Sequence, residues 1–127
     1  MVWDPQQYLK FSGHRLRPAV DLLMRIPDFN VRCIADLGAG AGNVTRLLKE
    51  RWPDAAVTAV EGSAEMVAAG KKVAPGIEWL QQDLASWHPA ERYDLIYSNA
   101  ALHWLPDHAR LFPSLMQNVE PGGLLAV

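Results

Sequence analysis

The apolar positions change period several times along the chain, and each change marks an element boundary. In "RCIADLGAGAGNVTRLL", residues 32–48, Cys33, Ile34, Ala35 and Leu37 make a short apolar run, the pattern of a buried strand. Val44, Leu47 and Leu48 then recur at helical spacing. Gly38, Gly40 and Gly42 therefore fall at a strand-to-helix turn, where glycine permits positive φ and leaves no Cβ between the backbone and a ligand. The helix behind the turn opens with N–H groups that lack intrahelical partners, which favours an electron-rich ligand.

The alternation continues in both directions. "PAVDLLMRI", residues 18–26, begins with a proline suited to a first helical turn and puts Val20, Leu23 and Met24 on one face, predicting a lead-in helix. After the glycine turn a helix runs to about Trp52 and is stopped by Pro53 and Asp54. "AAVTAVEG" predicts a second strand ending at Glu61. Ser63 is placed to cap the next helix, with Glu65 near its positive end and Met66, Val67 and Val73 facing inward to a stop near Pro75. "GIEWLQQD", "RYDLIYSN" and "GGLLAV" predict strands three, four and five. Before the last, "DHARLFPSLMQNV" has a helical rhythm that Pro113 is expected to kink or divide. This βαβα order predicts an α/β fold, a Rossmann-like doubly wound parallel sheet with its ligand crevice at the carboxyl ends of the strands. One domain is expected over residues 1–127, with a lead-in segment 1–31 and a βα core 32–127.

Polar chemistry collects where that fold puts the crevice. The glycine turn follows strand one, Glu61 strand two, Asp83 strand three and Asn99 strand four. Any one of them also reads as a turn former, but their recurrence on one rim makes a candidate site. A carboxylate about 20 residues beyond a glycine turn can accept hydrogen bonds from both ribose hydroxyls and would repel a 2'-phosphate. The alternative for Glu61 is a solvated turn residue before Gly62. Asn43 stands where a dinucleotide fingerprint needs its third glycine, and the phosphate-loop lysine is absent, so a pyrophosphate ligand is disfavoured.

Composition narrows the classes. Lys plus Arg total 12 against 14 Asp plus Glu, a formal net charge of -2, so no overall positive field points to nucleic acid. The single cysteine, Cys33, falls inside a strand and reads as a core thiol, with no disulfide framework. No run approaches the roughly 20 apolar residues of a membrane span, and residues 1–10 are too polar for a signal peptide, so a cytoplasmic protein with no membrane partner is expected. Pro106 breaks the helix that would align His103, Asp107 and His108, so no metal site is expected. Neither a Ser-His-Asp nor a Cys-His arrangement stands out, and no catalytic residue is assigned.

Together these residues resemble a family. "DLGAGAG" looks like motif I of the class I S-adenosylmethionine-dependent methyltransferases, with Glu61, Asp83 and Asn99 at the family's next strand-end positions. The resemblance implies S-adenosyl-L-methionine as cofactor and S-adenosyl-L-homocysteine as product. It implies that Asp36, Gly38, Ala39, Gly40 and Gly42 border the methionine end and that Glu61, with Gly62 and Ser63 beside it, holds the ribose. It further implies that Met66 packs near the adenine, Asp83 with Leu84 reads the adenine edge, and Asn99 with Ala100 lines the sulfonium.

"WDPQQYLKFSGHRLRPAVDLL" and "SNAALHWLPDH" are similar to the branch of that family that esterifies a carboxylate of trans-aconitate, which implies a small polycarboxylic acid as substrate. His103 and Trp104 either wall the acceptor pocket or are ordinary loop aromatics. His14, Arg15 and Arg17 either meet the polyanionic acid by charge-assisted hydrogen bonds or form a solvated basic face. An acceptor carboxylate already ionised near pH 7 needs no general base, so catalysis would consist of positioning and desolvation. Two other readings stand beside this one, a nicotinamide-dependent oxidoreductase and a non-catalytic cofactor-binding module. Members of the resembled family have seven-stranded sheets, so the chain is expected to be a fragment whose C-terminal strands are missing.

Overall fold

Every apolar run becomes a strand of one sheet in the computed structural model, which describes residues 16–99, 101, 102, 105 and 108–127. The strands are β1 (Cys33–Leu37), β2 (Ala56–Glu61), β3 (Glu78–Gln81), β4 (Tyr93–Tyr97) and β5 (Val119–Ala126). All pair in parallel, in the order β3-β2-β1-β4-β5. Around them lie α1 (Arg17–Arg25), α2 (Asn43–Arg51), α3 (Ala64–Val73) and α4 (His108–Gln117), with a 3-10 turn at Leu84–Ser86. The chain builds outward from β1 to β3 and then returns to lay β4 against the other side of β1. That reversal is the switch point at which doubly wound sheets open a crevice at their carboxyl ends.

Both faces of the sheet are covered, which is why the strands read as apolar runs rather than alternating patterns. Ile34, Val57, Leu95 and Tyr97 meet Val20, Leu23 and Ile26 from α1 and its end, and Leu47 and Leu48 from α2. On the opposite face Ala35, Leu37, Val60 and Ile96 meet Trp87, Tyr93, Leu102 and Leu115 of α4. Two polar tethers fix α1. The Tyr97 hydroxyl donates to the Ala19 carbonyl at 2.7 Å, and the Arg51 guanidinium donates to the carbonyls of Leu23 and Ile26 at the helix end.

The structure corrects several details. Met66 and Val73 do not face inward; they are 45% and 36% exposed, because α3 buries the stripe Val67, Gly70 and Ala74 instead. Met24 likewise points out, the buried stripe of α1 being Ala19, Val20 and Leu23. Cys33 is half-buried rather than core and opens on a cavity of about 180 Å³ at the amino ends of the strands. Pro113 does not divide α4: as the sixth residue of a short helix it leaves one carbonyl, that of Ala109, without its helical donor, and Leu115 is buried beyond it. β5 begins at Val119, earlier than "GGLLAV" suggests. Residues 120–123 bulge opposite Asp94, which absorbs Pro121 and the positive φ of Gly122 before pairing resumes at Leu95 with Leu124.

One carboxylate ties the two strands that flank the crevice. Asp94 Oδ2, on β4, accepts the N–H of Arg32 at 2.8 Å and that of Cys33 at 3.0 Å, just where β1 begins. Asp94→Ala is therefore expected to lower stability by about 1 to 3 kcal/mol, and Asp94→Asn by less, because its amide oxygen still accepts. Urea denaturation measures both, and an unchanged midpoint for Asp94→Ala would show that these bonds contribute nothing net.

Candidate functional site

The glycine turn continues the sheet before it leaves it. Past Leu37, the N–H groups of Gly38 and Ala39 both donate to the Val60 carbonyl, at 2.8 and 3.1 Å, so the turn starts clipped to the end of β2. Gly42 N–H then donates to the Ala39 carbonyl at 3.2 Å, and its own carbonyl accepts from Arg46 as α2 begins. Gly38, Gly40 and Gly42 hold φ of 72°, 59° and 88°, a left-handed region that disfavours a side chain.

The three glycines are not equivalent in their surroundings. A Cβ on Gly38 would collide with the Ala101 side chain, and one on Gly42 would come within 2.9 Å of the Trp79 ring. A Cβ on Gly40 would meet nothing within 4 Å among the described residues. Packing thus fills the space over the outer two, while the described residues leave the backbone at Gly40 open. That is the cradle a close-approaching ligand requires.

Two carboxylates organise the turn. Glu61, at the end of β2, accepts the Gly40 N–H on Oε1 at 3.0 Å and the Ser63 N–H on Oε2 at 2.9 Å. It therefore links the crest of the turn to the cap of α3, where the Ser63 hydroxyl in turn accepts the Met66 N–H at 3.3 Å. Asp36 lies beneath the turn, 3% exposed, accepting the hydroxyl of the fully buried Thr45 at 2.7 Å. Burial pushes the Asp36 carboxyl up to about 7; the Thr45 bond opposes the shift and the charge of Glu61 adds to it. Tyr97, paired with Asp36 across β4 and β1, is also raised, by burial first and by the Asp36 charge second.

The remaining strand ends close the rim. Gln82 N–H donates to the Glu61 carbonyl at 3.0 Å, and the Ser98 hydroxyl donates to the Leu37 carbonyl at 2.9 Å. Asp83 Oδ1 accepts the Ala85 N–H at 3.0 Å, shaping the 3-10 turn that brings Leu84 within 3.7 Å of a Cβ on Gly38. Gly62 is exposed and Asn99 half-buried beyond Ser98. Ala39, Gly40, Glu61, Ser63, Asp83, Leu84 and Asn99 thus gather at the carboxyl ends of the strands, while Asp36 lies below them. Arg17 is exposed at the start of α1. His14, Arg15, Ala100, His103 and Trp104 lie outside the described residues, as do Pro106 and Asp107. His108 bonds through Nε2 to the Leu102 carbonyl at 3.0 Å, and among the described residues no group of His, Cys, Asp or Glu is arranged to hold a metal ion.

Residues 34–123 match the methyltransferase domain family. The chain belongs to that family. As a methyltransferase-family chain it is 51% identical over 126 residues to the trans-aconitate 2-methyltransferase of Azoarcus sp. (strain BH72), covering 99% of this chain and 50% of that protein. It is 47% identical over 125 residues to the protein of the same name from Escherichia coli (strain K12 / DH10B), covering 98% and 50%. It is similar to a solved S-adenosylmethionine dependent methyltransferase from Mesorhizobium loti, with a TM-score of 0.74 and 36% identity over 89% of this chain and 52% of that one. Coclaurine N-methyltransferase bound to S-adenosylhomocysteine shares the fold, with a TM-score of 0.75 at 20% identity over 90% and 36% of the two chains. The chain spans about half the length of the curated relatives it matches.

Four residues that shape the candidate site escape the sequence reading: Thr45, Trp79, Ser98 and Ala101. Thr45 carries a faint signal, a hydroxyl in the first turn of a helix just beyond a strand-end acid. The others act through contacts that only strand register creates.

The glycine environments predict different costs. Gly40→Ala should lose about 1 to 2 kcal/mol, the cost of a left-handed alanine, whereas Gly38→Ala adds overpacking of about 1 to 3 kcal/mol to that strain. Thermal or urea denaturation compares them, and equal losses would show that Ala101 yields freely.

Asp36 predicts a pH dependence. Its carboxyl has an ordinary value of 3.8 and a folded value of about 7, so the folded chain binds the extra proton between them. Its contribution to stability is full below about 4, falls as pH rises to about 7 and is flat above. Asp36→Asn cannot ionise, so relative to the parent it should gain roughly 2 to 4 kcal/mol across that window. Urea denaturation at several pH values tests this, and parallel curves for the two proteins would contradict it.

Proposed function

We propose that the protein binds S-adenosyl-L-methionine at the glycine turn and transfers its methyl group to a carboxylate of a small polycarboxylic acid, trans-aconitate being the acceptor in its relatives' names. The observation that carries the cofactor reading is the Glu61 carboxylate, joined to the Gly40 and Ser63 N–H groups beside the open backbone of Gly40. When bound, the cofactor supplies an electrophilic methyl group on a sulfonium. Asp36, Gly38, Ala39, Gly40 and Gly42 would hold its methionine end, and Glu61, Gly62 and Ser63 its ribose. Each Glu61 oxygen accepts one backbone N–H and retains a lone pair for a hydroxyl. Asp83 and Leu84 would border the adenine with Met66, whose exposure leaves its side chain available for that contact. Asn99 and Ala100 would line the reacting end.

On this reading the chain has no proton to move from the acceptor, since a carboxylate is already ionised near pH 7. Its residues orient two ligands and exclude water between them. Cations must hold the acid, and the rim contributes acids, amides and glycines. Arg17, with His14 and Arg15, is proposed for that task because a guanidinium engages a carboxylate through two parallel hydrogen bonds. His103 and Trp104 are proposed to wall the acceptor pocket. A cytoplasmic setting belongs to the same proposal, and the single cysteine supports it. No helix among the described residues is long and apolar enough to cross a membrane.

Titration calorimetry tests the cofactor, with S-adenosylhomocysteine expected to bind and NAD not. Glu61→Ala should weaken that binding by about 1.5 to 3 kcal/mol, and Glu61→Gln by less, since its amide oxygen keeps one acceptor. Parent-like affinity in both variants would reduce Glu61 to a turn residue. Methyl transfer to trans-aconitate by the complete protein, followed with radiolabelled cofactor, then separates an enzyme from a module that binds without turnover.

A further inference from the structure

Gly70 occupies the interior of α3, where glycine is less favourable than alanine. Its φ is ordinary, so no turn or strained backbone requires it there. The requirement comes from Trp79 on β3: a Cβ on Gly70 would overlap three ring carbons of that indole. The same edge of the ring also lies against the cofactor turn: Cζ2 and Cη2, two of the three atoms that crowd Gly70, stand 2.9 and 3.1 Å from a Cβ on Gly42. The Gly70 Cα itself stands 3.3 Å from that Gly42 position. Two glycines from segments distant in sequence are thus shaped to one indole edge. The Trp79 Nε1 atom is buried and has no acceptor among the described residues, so what the ring contributes here is shape.

We propose that Trp79 is a positioning residue for the cofactor turn, an indole plate that holds Gly42 at its left-handed φ and sets the gap between the turn and α3. Glu61 spans the same gap at its open end, from Gly40 to Ser63. The plate therefore fixes how far apart the two backbone donors of Glu61 stand. Filling the space at Gly70 displaces the ring edge on which Gly42 packs and so alters the turn from a helix position that no part of the proposed ligand set includes. This proposal rests on the cofactor reading above only for its binding measurement.

The test is a size-compensation cycle in the complete protein, read by calorimetry with S-adenosylhomocysteine and by amide chemical shifts of Gly40 and Gly42. Gly70→Ala should weaken binding about tenfold and shift both amides, despite alanine's better helix propensity. Gly70→Ala with Trp79→Phe, which returns the volume, should restore affinity to within about threefold and bring both amides back toward the parent. Parent-like binding and shifts in Gly70→Ala, or no recovery in the double variant, would overturn the proposal. If the parent binds no S-adenosylhomocysteine the cofactor reading fails, and the amide shifts still decide this one. If Gly70→Ala does not fold, Trp79→Phe alone decides: hydrogen exchange at the Gly42 amide should speed up while that at the Val20 amide in α1 does not, and equal rates in variant and parent would overturn the proposal.

Discussion

A single carboxylate, Glu61, holds the site together. It lies at the end of β2, and its two oxygens take N–H groups from opposite walls of the crevice, Gly40 on the turn after β1 and Ser63 at the start of α3. Neither donor has a helical or sheet partner of its own, so each would otherwise need water. The anion therefore does in the protein what solvent would do less rigidly. Because the turn is also clipped to the Val60 carbonyl one residue earlier, β2 fixes the base and the crest of the same loop. The loop conformation is thus set by the strand beside it more than by its own sequence.

Asp36 shows the opposite balance. A carboxyl group almost wholly removed from water, with one hydroxyl donor and another acid nearby, is held partly protonated near neutral pH. Ionising it in the folded chain therefore opposes stability as pH rises. Groups whose ionisation is strongly perturbed are often found at functional sites, and Asp36 lies directly beneath the candidate one. Stability given up at Asp36 and order gained through Glu61 describe one arrangement: a rigid loop above an under-compensated charge.

Much of this was legible in the sequence for a physical reason. β1, its glycine turn and α2 announce themselves because the apolar period changes abruptly across residues that no regular element favours. Glu61 and Asp83 are legible from parallel topology alone, which sends every strand end to one rim. Helix facing is less so. Met66 and Val73 are the larger side chains of α3, and a rule that buries the largest apolar residues chooses them. The helix instead turns its Gly70 stripe inward, because its neighbour is an indole that leaves no room for more. The start of β5 is hidden for a related reason: Pro121 ahead of the "GGLLAV" strand has no N–H to give a sheet, and only the bulge opposite Asp94 lets the strand begin before it, at Val119. Ser98 and Tyr97 make their bonds to Leu37 and Ala19, partners 61 and 78 residues away, and no local period encodes such a meeting.

The glycines carry the same distinction to the level of the site. Gly38, Gly42 and Gly70 are glycine because protein atoms, the Ala101 methyl and the Trp79 ring, occupy the place of a side chain. Gly40 has no such neighbour among the described residues. A motif of alternating glycines therefore mixes two demands that look identical in sequence: the flanking positions build the loop, and the central one leaves it open. On the proposed reading, the central position is where the backbone stays accessible to a partner from outside the chain, and the flanking two hold the loop that presents it.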